Sequence, residues 1–406
     1  MPHVVLILPT ATYRAAEFVD AAAQLGAQIT LASEDRPPLA DETGSLHVLI
    51  DCDSPESSAD LIVAHADHHP IDAIVAADDQ GVEIAALAAG RLGLPHNPPF
   101  GVAATRNKAM LRRALAGAEV PQPAFGVVNT PEDAEAAVAE LGAPAILKPL
   151  GLSASQGVIR VDHPADAPAA ADRIRRILIT EGHSPGEPIL VERFVPGIEV
   201  AVEGLLLDGR LEVLAVFDKP DPLDGPYFEE TILIAPSRLH PEMIDEVVRV
   251  TEKAIAALEL REGPIHAELR VDGPRVILIE VAARSVGGLC GRSLRFGLLG
   301  TSLETLILRR ALGMPVAGLR REGVASGAMM LPIPRAGVFR SVGGREEALN
   351  VPGITDLEIS MHPGDIVRTL PEGNRYLGFL FAKGETPRDV EDSLRSAHSK
   401  LEFTID

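Results

Sequence analysis

The sequence has 406 residues, of which 46% are hydrophobic and 23% are charged, a composition typical of globular proteins. Its 58 acidic and 37 basic residues give a formal net charge of −21, which argues against partners with phosphate backbones or anionic lipid surfaces. No apolar run reaches the roughly 18 residues of a membrane-spanning helix, and the N-terminus lacks the basic leader of a signal peptide. Two cysteines, Cys52 and Cys290, are too few for a disulfide framework. We therefore expect a cytoplasmic protein that binds neither nucleic acid nor membranes.

Residues 1–97 alternate strand-like and helix-like patterns and form the first predicted domain. The pattern predicts strands at 3–8, 28–32, 48–50 and 73–76, and helices at 13–25, 58–68 and 82–92. Such alternation favours a parallel sheet covered by helices. The first strand-to-helix turn, residues 9–13, reads PTATY and not G-x-G-x-x-G, so a dinucleotide-binding site loses its main support.

Three further domains are predicted after the Pro-rich junction at 95–101. Residues 98–187 contain a basic helix at 105–116 and then a small α+β unit with helices at 131–141 and 168–180 and strands at 145–148 and 158–161. A β-rich unit spans 188–315, starting with a strand at 189–191 and closing with a helix at 300–312. Residues 316–406 carry short strands and a final helix at 388–398. The predicted fold class is a multidomain α/β protein.

The first candidate binding motif is AILKPLGLSASQGVIRV at 145–161. Lys148 ends a strand, and the loop after it is rich in glycine and serine. Backbone N–H groups of such a loop can surround phosphate oxygens, Ser153 and Ser155 can donate as well, and Gly157 permits a tight turn. A hairpin turn with a surface lysine is the alternative interpretation.

A second motif, ILVERFVPGIE at 189–199, has an apolar strand that ends at Glu192 and Phe194. A strand end of this kind can present backbone groups to an adenine ring, and Glu199 is placed to accept hydrogen bonds from ribose hydroxyls. The alternative is an exposed strand end with two solvated acids.

The third motif is the strongest: GPIHAELRVDGPRVILIEVAARSVGG at 263–288. Two strands flank an Asp-Gly turn and carry Glu268 and Glu280, close enough to share one face of a sheet. Two carboxylates with open positions suit Mg²⁺, which prefers a few protein carboxylates together with phosphate oxygens. Arg284, followed by Gly287 and Gly288, fits the stabilisation of an anionic intermediate. A surface hairpin with an Arg–Glu ion pair is the alternative.

The order and spacing of these motifs resembles the ATP-grasp superfamily of carboxylate–amine ligases. The segments FDKPDPLDGPYFEE (217–230) and EVAARSVGG (280–288) and the C-terminal stretch from HPGD onward resemble its L-amino-acid ligase, or dipeptide-forming, branch. The resemblance covers nearly the whole chain. It implies a parallel-sheet N-terminal domain, a small α+β lid, a larger β-rich domain and a C-terminal extension.

The resemblance also implies roles for individual residues. It implies that Lys108 and Lys148 bind the ATP phosphates and that Ser153, Ser155 and Gly157 form a flap over them. Glu192 and Phe194 would contact the adenine, and Glu199 the ribose. Glu268 and Glu280 would bind the metal, and Arg284 would stabilise the acyl phosphate and the tetrahedral intermediate. Ala282 stands where many members have Asn, which puts the coordination of a second metal in doubt. As substrate contacts we predict, on weaker grounds, four further residues: Glu230, His266, Gly287 and Gly288.

The function implied is ATP-dependent amide formation through an acyl phosphate, with ATP and Mg²⁺ or Mn²⁺ as cofactors. The expected partners are a small carboxylate and an amine, both amino acids, and a homodimer is compatible with the sequence. Two alternatives remain open: a biotin-carboxylase-like or purine-pathway ligase with the same machinery, and a nucleotide-binding module without activity.

Overall fold

The computed structural model describes residues 1–9, 12–316 and 318–406. Thr10 and Ala11, in the predicted first turn, lie outside the described residues. Across the described ranges, no helix is both long enough and apolar enough to cross a membrane.

The N-terminal region is built on a parallel sheet of four strands in the order β3-β2-β1-β4. Its elements are β1 (His3–Ile7), α1 (Ala15–Gln24), β2 (Gln28–Ser33), α2 (Pro38–Thr43), β3 (Leu46–Leu49), α3 (Pro55–Ala66), β4 (Ala73–Ala76) and α4 (Val82–Arg91). All five residues of β1 are buried, as expected for a central parallel strand with helices on both faces. The predicted parallel sheet is therefore confirmed.

Two helices, α5 (Pro99–Arg106) and α6 (Lys108–Gly117), stand where a single helix at 105–116 was predicted. The single-helix prediction is wrong because Asn107 has an extended backbone, with φ of −122°, and caps α6. Its side-chain oxygen accepts hydrogen bonds from the N–H groups of Ala109 and Met110, both at 3.1 Å. The break places Lys108 in the first turn of α6.

A small α+β unit follows, and its four-stranded antiparallel sheet has the order β5-β8-β6-β7. Its elements are β5 (Phe125–Val128), α7 (Pro131–Leu141), β6 (Ala145–Pro149), β7 (Ile159–Val161), α8 (Ala167–Thr180) and β8 (Ile189–Arg193). The sheet includes β8, which was predicted to open the next, β-rich unit. The boundary predicted after residue 187 thus separates this strand from the sheet that it joins.

An eight-stranded antiparallel sheet dominates the rest of the chain, in the order β13-β12-β9-β10-β11-β16-β20-β18. Its first half comes from β9 (Ile198–Leu207), β10 (Arg210–Lys219), β11 (Ile232–Ala235), β12 (Gly263–Asp272) and β13 (Arg275–Ala282), with α9 (Pro241–Ala257) beside them. The predicted Asp-Gly hairpin is present between β12 and β13, where Asp272 pairs with Arg275.

The second half of this sheet comes from the C-terminal region. The elements there are β14 (Arg295–Phe296), β15 (Thr301–Ser302), α10 (Leu303–Ala311), β16 (Ala325–Leu331), β17 (Gly337–Gly343), α11 (Arg345–Leu349), β18 (Ile354–Ile359), β19 (Ile366–Val367), β20 (Gly378–Gly384), α12 (Pro387–His398) and β21 (Glu402–Ile405). Because β11 pairs with β16, the sheet continues across the domain boundary predicted at residue 315.

A buried ion pair joins the N-terminal region to the large sheet. The Arg14 side chain is 1% exposed, and its Nη2 lies 2.7 Å from Oε1 of Glu304 in α10. Its Nη1 donates to the hydroxyl of Ser285 at 2.6 Å and to the carbonyl of Val286 at 3.3 Å. Arg14 therefore holds the loop after β13 against the N-terminal region.

We expect Arg14→Leu to lower the free energy of unfolding by about 3–5 kcal/mol, because the carboxylate of Glu304 would stay buried without its partner. Urea unfolding followed by circular dichroism measures the change. The double variant Arg14→Leu/Glu304→Leu should recover part of the loss, since it removes both charges. A single variant as stable as the wild type would contradict the assignment.

Candidate active site

A cavity of about 400 Å³ lies where the N-terminal region, the small unit, the large sheet and the C-terminal region meet. It brings together all the predicted site residues except Gly157. Those lining it are Lys108, Lys148, Ser153, Ser155, Glu192, Phe194, Glu199, Glu230, His266, Glu268, Glu280, Arg284, Gly287 and Gly288. Their convergence excludes the separate surface turns and hairpins considered as alternatives, while the individual roles stay predictions.

The glycine- and serine-rich loop, residues 153–157, forms a turn over one side of this cavity. Ser155 and Gly157 have positive φ angles of 56° and 73°. Gly157 lies behind the loop, where its N–H donates to the carbonyl of Pro371 at 2.9 Å. Lys108 supports the base of the loop, since its Nζ donates to the carbonyl of Leu152 at 2.6 Å. The loop thus keeps its hydroxyls at the cavity wall.

Lys148, at the end of β6, belongs to a buried chain of charges. Its Nζ lies 2.8 Å from Oε2 of Glu192, whose Oε1 accepts from Nε of Arg112 at 2.5 Å. Burial alone raises the pKa of Glu192, but the two adjacent cations outweigh it and lower the pKa to about 2. The Glu192 side chain is therefore an ionised anchor for Lys148 and not a solvated surface acid.

Phe194 and Glu199 are fixed by arginines. The guanidinium carbons of Arg160 and Arg270 lie 4.5 and 5.2 Å from the centre of the Phe194 ring. Glu199 is 9% exposed and accepts from Nε of Arg270 at 3.0 Å and from Nζ of Lys219 at 2.8 Å. These contacts make one rigid wall of the cavity.

Lys219, the last residue of β10, is the centre of an acidic cluster. Its Nζ lies 2.8 Å from Glu199 and 3.2 Å from Glu268, and it also donates to Glu230. The three carboxylates offer oxygens within 4.8 Å of one another. Burial and the charge of Glu268 raise the pKa of Glu230 to about 7, whereas Lys219 and His266 lower the pKa of Glu268 despite its burial. One buried ammonium thus balances part of a strongly negative cluster.

Glu268 and Glu280 face each other across the β12–β13 ladder. Glu280 also lies 3.9 Å from Nζ of Lys108. Glu268 also belongs with Glu199 and Glu230 to a group whose oxygens lie within 4.8 Å of one another, whereas Glu280 is outside that group. Carboxylate oxygens are the ligands that Mg²⁺ and similar hard cations prefer, so the residue types fit a divalent cation at this place.

His266 is held by Glu203, which is fully buried. Nδ1 of His266 lies 3.1 Å from Oε2 of Glu203, and Nε2 lies 3.5 Å from Glu268. The same Glu203 oxygen accepts from the N–H of Val286 at 3.0 Å. Burial lowers the pKa of His266, but hydrogen bonds to Glu203 and Glu268 raise it to about 9. Glu203 thereby connects the acidic cluster to the loop after Arg284.

Arg284 pairs with an acid of the N-terminal region. Its Nη2 lies 2.9 Å from Oδ2 of Asp79, and its Nη1 donates to the carbonyl of Ser285 at 2.8 Å. Within the described part of the chain no ion pair joins it to Glu280, the partner of the surface-hairpin alternative. Gly288 has a φ of 58°, and a Cβ there would lie 2.7 Å from the ring of Phe379. This packing explains why position 288, four residues after Arg284, is occupied by glycine.

Sequence reasoning missed several of these residues. Lys219 could have been found from the sequence, because it follows the apolar run of β10 much as Lys148 follows that of β6. Asp79, Glu203 and Arg112 carry no local signal, because each meets its partner from a distant part of the chain.

Comparison with known families and structures agrees with the geometry. Family models match residues 19–96 (ATP-grasp N-terminal domain), 141–293 (ATP-grasp domain) and 329–406 (L-amino acid ligase C-terminal domain 2). The crystal structure of L-amino acid ligase from Bacillus licheniformis superposes with a TM-score of 0.81 at 23% identity, covering 100% of this chain and 99% of that one. The resemblance and the fold predicted from the motifs are confirmed.

Among sequence relatives, an uncharacterized protein of Sinorhizobium fredii is 26% identical over 318 residues, or 77% of this chain and 64% of its own length. Alanine–anticapsin ligase of Bacillus amyloliquefaciens is 30% identical over 255 residues, 58% of this chain and 53% of its own length. The chain thus spans less than two thirds of the length of either relative.

The ion pairs of Glu192 predict a pH-dependent stability. A pKa lowered from 4.5 to about 2 stabilises the folded state at every pH above 4.5, and this stabilisation disappears as the pH falls from 4.5 to about 2. We expect Glu192→Gln to lower the free energy of unfolding at neutral pH by on the order of 3 kcal/mol. Urea unfolding of the variant and the wild type across this pH range is the measurement.

The difference between the two proteins should narrow below pH 4.5. Glu132→Gln, on the exposed side of α7, is the matched control and should match the wild type throughout. A difference that stays constant down to the lowest pH would show that Glu192 stabilises the fold by shape and not by charge.

Proposed function

Residues 141–293 match an ATP-grasp domain, and on that premise we propose that the chain is an ATP-dependent carboxylate–amine ligase that joins two amino acids. The observation that carries the proposal is the convergence of Lys108 and Lys148 on the same cavity as the acidic pair Glu268 and Glu280. Lysines suit phosphate oxygens, and carboxylates suit the metal that accompanies them. A site for an uncharged ligand would need neither the lysines nor the metal-binding carboxylates.

ATP is proposed to lie between the small unit and the large sheet. The Glu192 side chain is occupied by Arg112 and Lys148, so the adenine contact falls to backbone groups at the end of β8 and to Phe194. Glu199 is proposed to reach the ribose. The phosphates are assigned to the lysines and to the loop with Ser153 and Ser155, whose N–H and hydroxyl groups border the cavity.

Glu268 and Glu280 would hold a divalent cation, proposed to be Mg²⁺. When bound, such an ion neutralises charge on the phosphate oxygens. His266 keeps Glu268 in place and is itself oriented by Glu203. The protein's part is therefore to fix the direction of the carboxylates before the ligand arrives.

The proposed reaction has two steps. A carboxylate oxygen of the first substrate attacks the γ-phosphorus of ATP, the bond to the β-phosphate oxygen breaks, and ADP leaves an acyl phosphate behind. The amine of the second substrate then attacks the acyl carbon, and phosphate leaves as the amide forms. Both steps develop negative charge, which Arg284 is placed to stabilise beside the N–H groups of Gly287 and Gly288.

The substrate end of the cavity supports amino acids. Glu230 supplies a carboxylate for a substrate ammonium group, and the wall around it includes Tyr13, Leu233, Met330 and the buried Cys290. Burial raises the pKa of the Cys290 thiol to about 12, so it acts as an apolar wall and not as a nucleophile. The alanine–anticapsin ligase relative and the C-terminal L-amino acid ligase domain point to the same substrate class.

The test is a panel of amino-acid pairs with ATP and Mg²⁺, in which phosphate release, nucleotide products and the mass of the ligated product are measured. We expect phosphate and ADP to accumulate together with a dipeptide, and only when both amino acids are present. Accumulation of AMP, or activity with biotin or an aminoribotide but not with amino acids, would contradict the proposal. Absence of turnover with all these substrates would favour a nucleotide-binding module.

Lys219 should be required for turnover as a positioning residue. We expect Lys219→Met to lower kcat by about 10²-fold or more, because Glu199, Glu230 and Glu268 would lose the buried cation that holds them in place. Steady-state kinetics with saturating amino acids measures the effect. The matched control is Lys383→Met, which breaks a surface ion pair with Glu322 of 2.7 Å and should leave the kinetics unchanged.

Thermal melting of the same variants separates catalysis from stability. If Lys219 only balances the charges of the acidic cluster, the variant should melt at a lower temperature while folded protein keeps its kcat. That result would restrict Lys219 to a structural role.

A further inference from the structure

A segment of the C-terminal region, residues 371–376, reaches back to the mouth of the cavity. The carbonyl of Pro371 accepts from the N–H of Gly157 at 2.9 Å, and the carbonyl of Glu372 accepts from the side-chain amide of Gln156 at 2.9 Å. Gln156 is also within 3.5 Å of the amide of Asn374. This segment thus stabilises the glycine- and serine-rich loop, residues 153–157, on the side away from the cavity.

The same segment is anchored to helix α8. Nε and Nη2 of Arg173 lie 2.7 and 3.0 Å from the two carboxylate oxygens of Glu372, and Nη1 donates to the hydroxyl of Tyr227 at 2.5 Å. Gly373 is required in the turn, since a Cβ there would lie 2.1 Å from the carbonyl oxygen of Arg368. The backbone before Asn374 is therefore tightly constrained on both sides.

From this support the segment presents Arg375 to the cavity, where the side chain is exposed at the mouth. Within the ranges that the structure describes, no carboxylate lies within ion-pair distance of it. Arg270 and Arg284, by contrast, are already paired with Glu199 and Asp79. Arg375 is thus a guanidinium at the cavity that is available for a ligand anion.

The neighbouring Tyr376 shows which end of the cavity Arg375 borders. Its ring centre lies 6.3 Å from that of Phe379, which is itself 5.4 Å from the ring centre of Tyr13. Tyr376 and Tyr13 pack against the same hydrophobic cluster, which includes the substrate-end residues Leu233, Met330 and Cys290. The lysines proposed to face the phosphates come from other elements, namely α6 and β6. Arg375 therefore borders the amino-acid end.

We propose that Arg375 binds the free carboxylate of the amino acid that supplies the amine, an inference that rests on the proposed function. The carboxylate of the acyl donor is consumed when it is phosphorylated, whereas the amine donor keeps its carboxylate throughout the reaction. That group needs a permanent cation, and the planar guanidinium of arginine can hold both of its oxygens. The second substrate is thereby restricted to amines that carry an acid group.

The test compares free amino acids with their C-terminal amides. The twenty common L-amino acids and the matching amides are titrated into the protein with Mg²⁺ and a non-hydrolysable ATP analogue, and affinity is measured by calorimetry. The amides are then compared as amine donors by phosphate release. We expect the wild type to prefer the acid roughly 10- to 100-fold in affinity and in kcat/KM, the size expected for a charge-assisted pair.

Arg375→Ala should remove this preference by weakening only the acid form, with KM for ATP and for the acyl donor unchanged. Arg375→Lys should recover part of it. The matched control is Arg193→Ala, which removes the other cavity-lining guanidinium that has no acid partner in the described ranges; Arg193 ends β8, at the proposed adenine end. This control should keep the acid-over-amide ratio of the wild type.

The inference is overturned if Arg375→Ala keeps the preference for the acid, or if it raises KM for ATP in place of KM for the amine donor. The second result would assign Arg375 to a phosphate.

Binding and turnover separate the two proposals. If calorimetry shows a preference for the acid over the amide but no phosphate is released, the ligase function alone is contradicted. If acids and amides are ligated equally well, the role of Arg375 alone is contradicted.

Discussion

The balance of charge inside one cavity is the constraint on which the rest of the structure depends. Glu199, Glu230 and Glu268 are brought within a few ångströms of one another, where their repulsion would be severe without Lys219. The buried pair of Glu192 and Lys148 meets the same requirement at the other end. Lys148 and Lys219 are each held by at least one acid, so that their positions are fixed before any ligand arrives. Such preorganisation is the main source of electrostatic stabilisation in enzymes.

The antiparallel sheet supplies the rigidity that this balance needs. Glu268 and Glu280 are on adjacent strands, and Lys219 ends a third strand in the same sheet. Side chains on neighbouring strands keep a spacing set by the backbone ladder, so their relative positions do not depend on loops. Loops enter only where a close backbone approach is needed, as at Gly288. The site therefore has fixed charges on strands and adjustable groups on the loops around them.

Contacts between distant parts of the chain complete the cavity. Asp79 from the N-terminal region orients Arg284, Arg14 holds the loop after it, and the 371–376 segment supports the glycine- and serine-rich loop. The same organisation explains why the eight-stranded sheet runs across the predicted domain boundary at residue 315. The C-terminal region is thus part of the cavity wall, to which it contributes Asn374, Arg375 and Tyr376.

The sequence by itself determined the parallel N-terminal sheet and the hairpin with its Asp-Gly turn, because periodicity and turn chemistry are local properties. Its resemblance to the ATP-grasp superfamily supplied the set of predicted residues around the cavity. It did not determine the break at Asn107, since a capping asparagine and one within a helix look alike until the backbone is seen. Nor did it place β8 in the small sheet or pair Glu203 with His266 and Asp79 with Arg284. Only the tertiary structure determines these pairings, because strand pairing and buried ion pairs join residues far apart in the chain. No local sequence pattern indicates which partner each residue contacts.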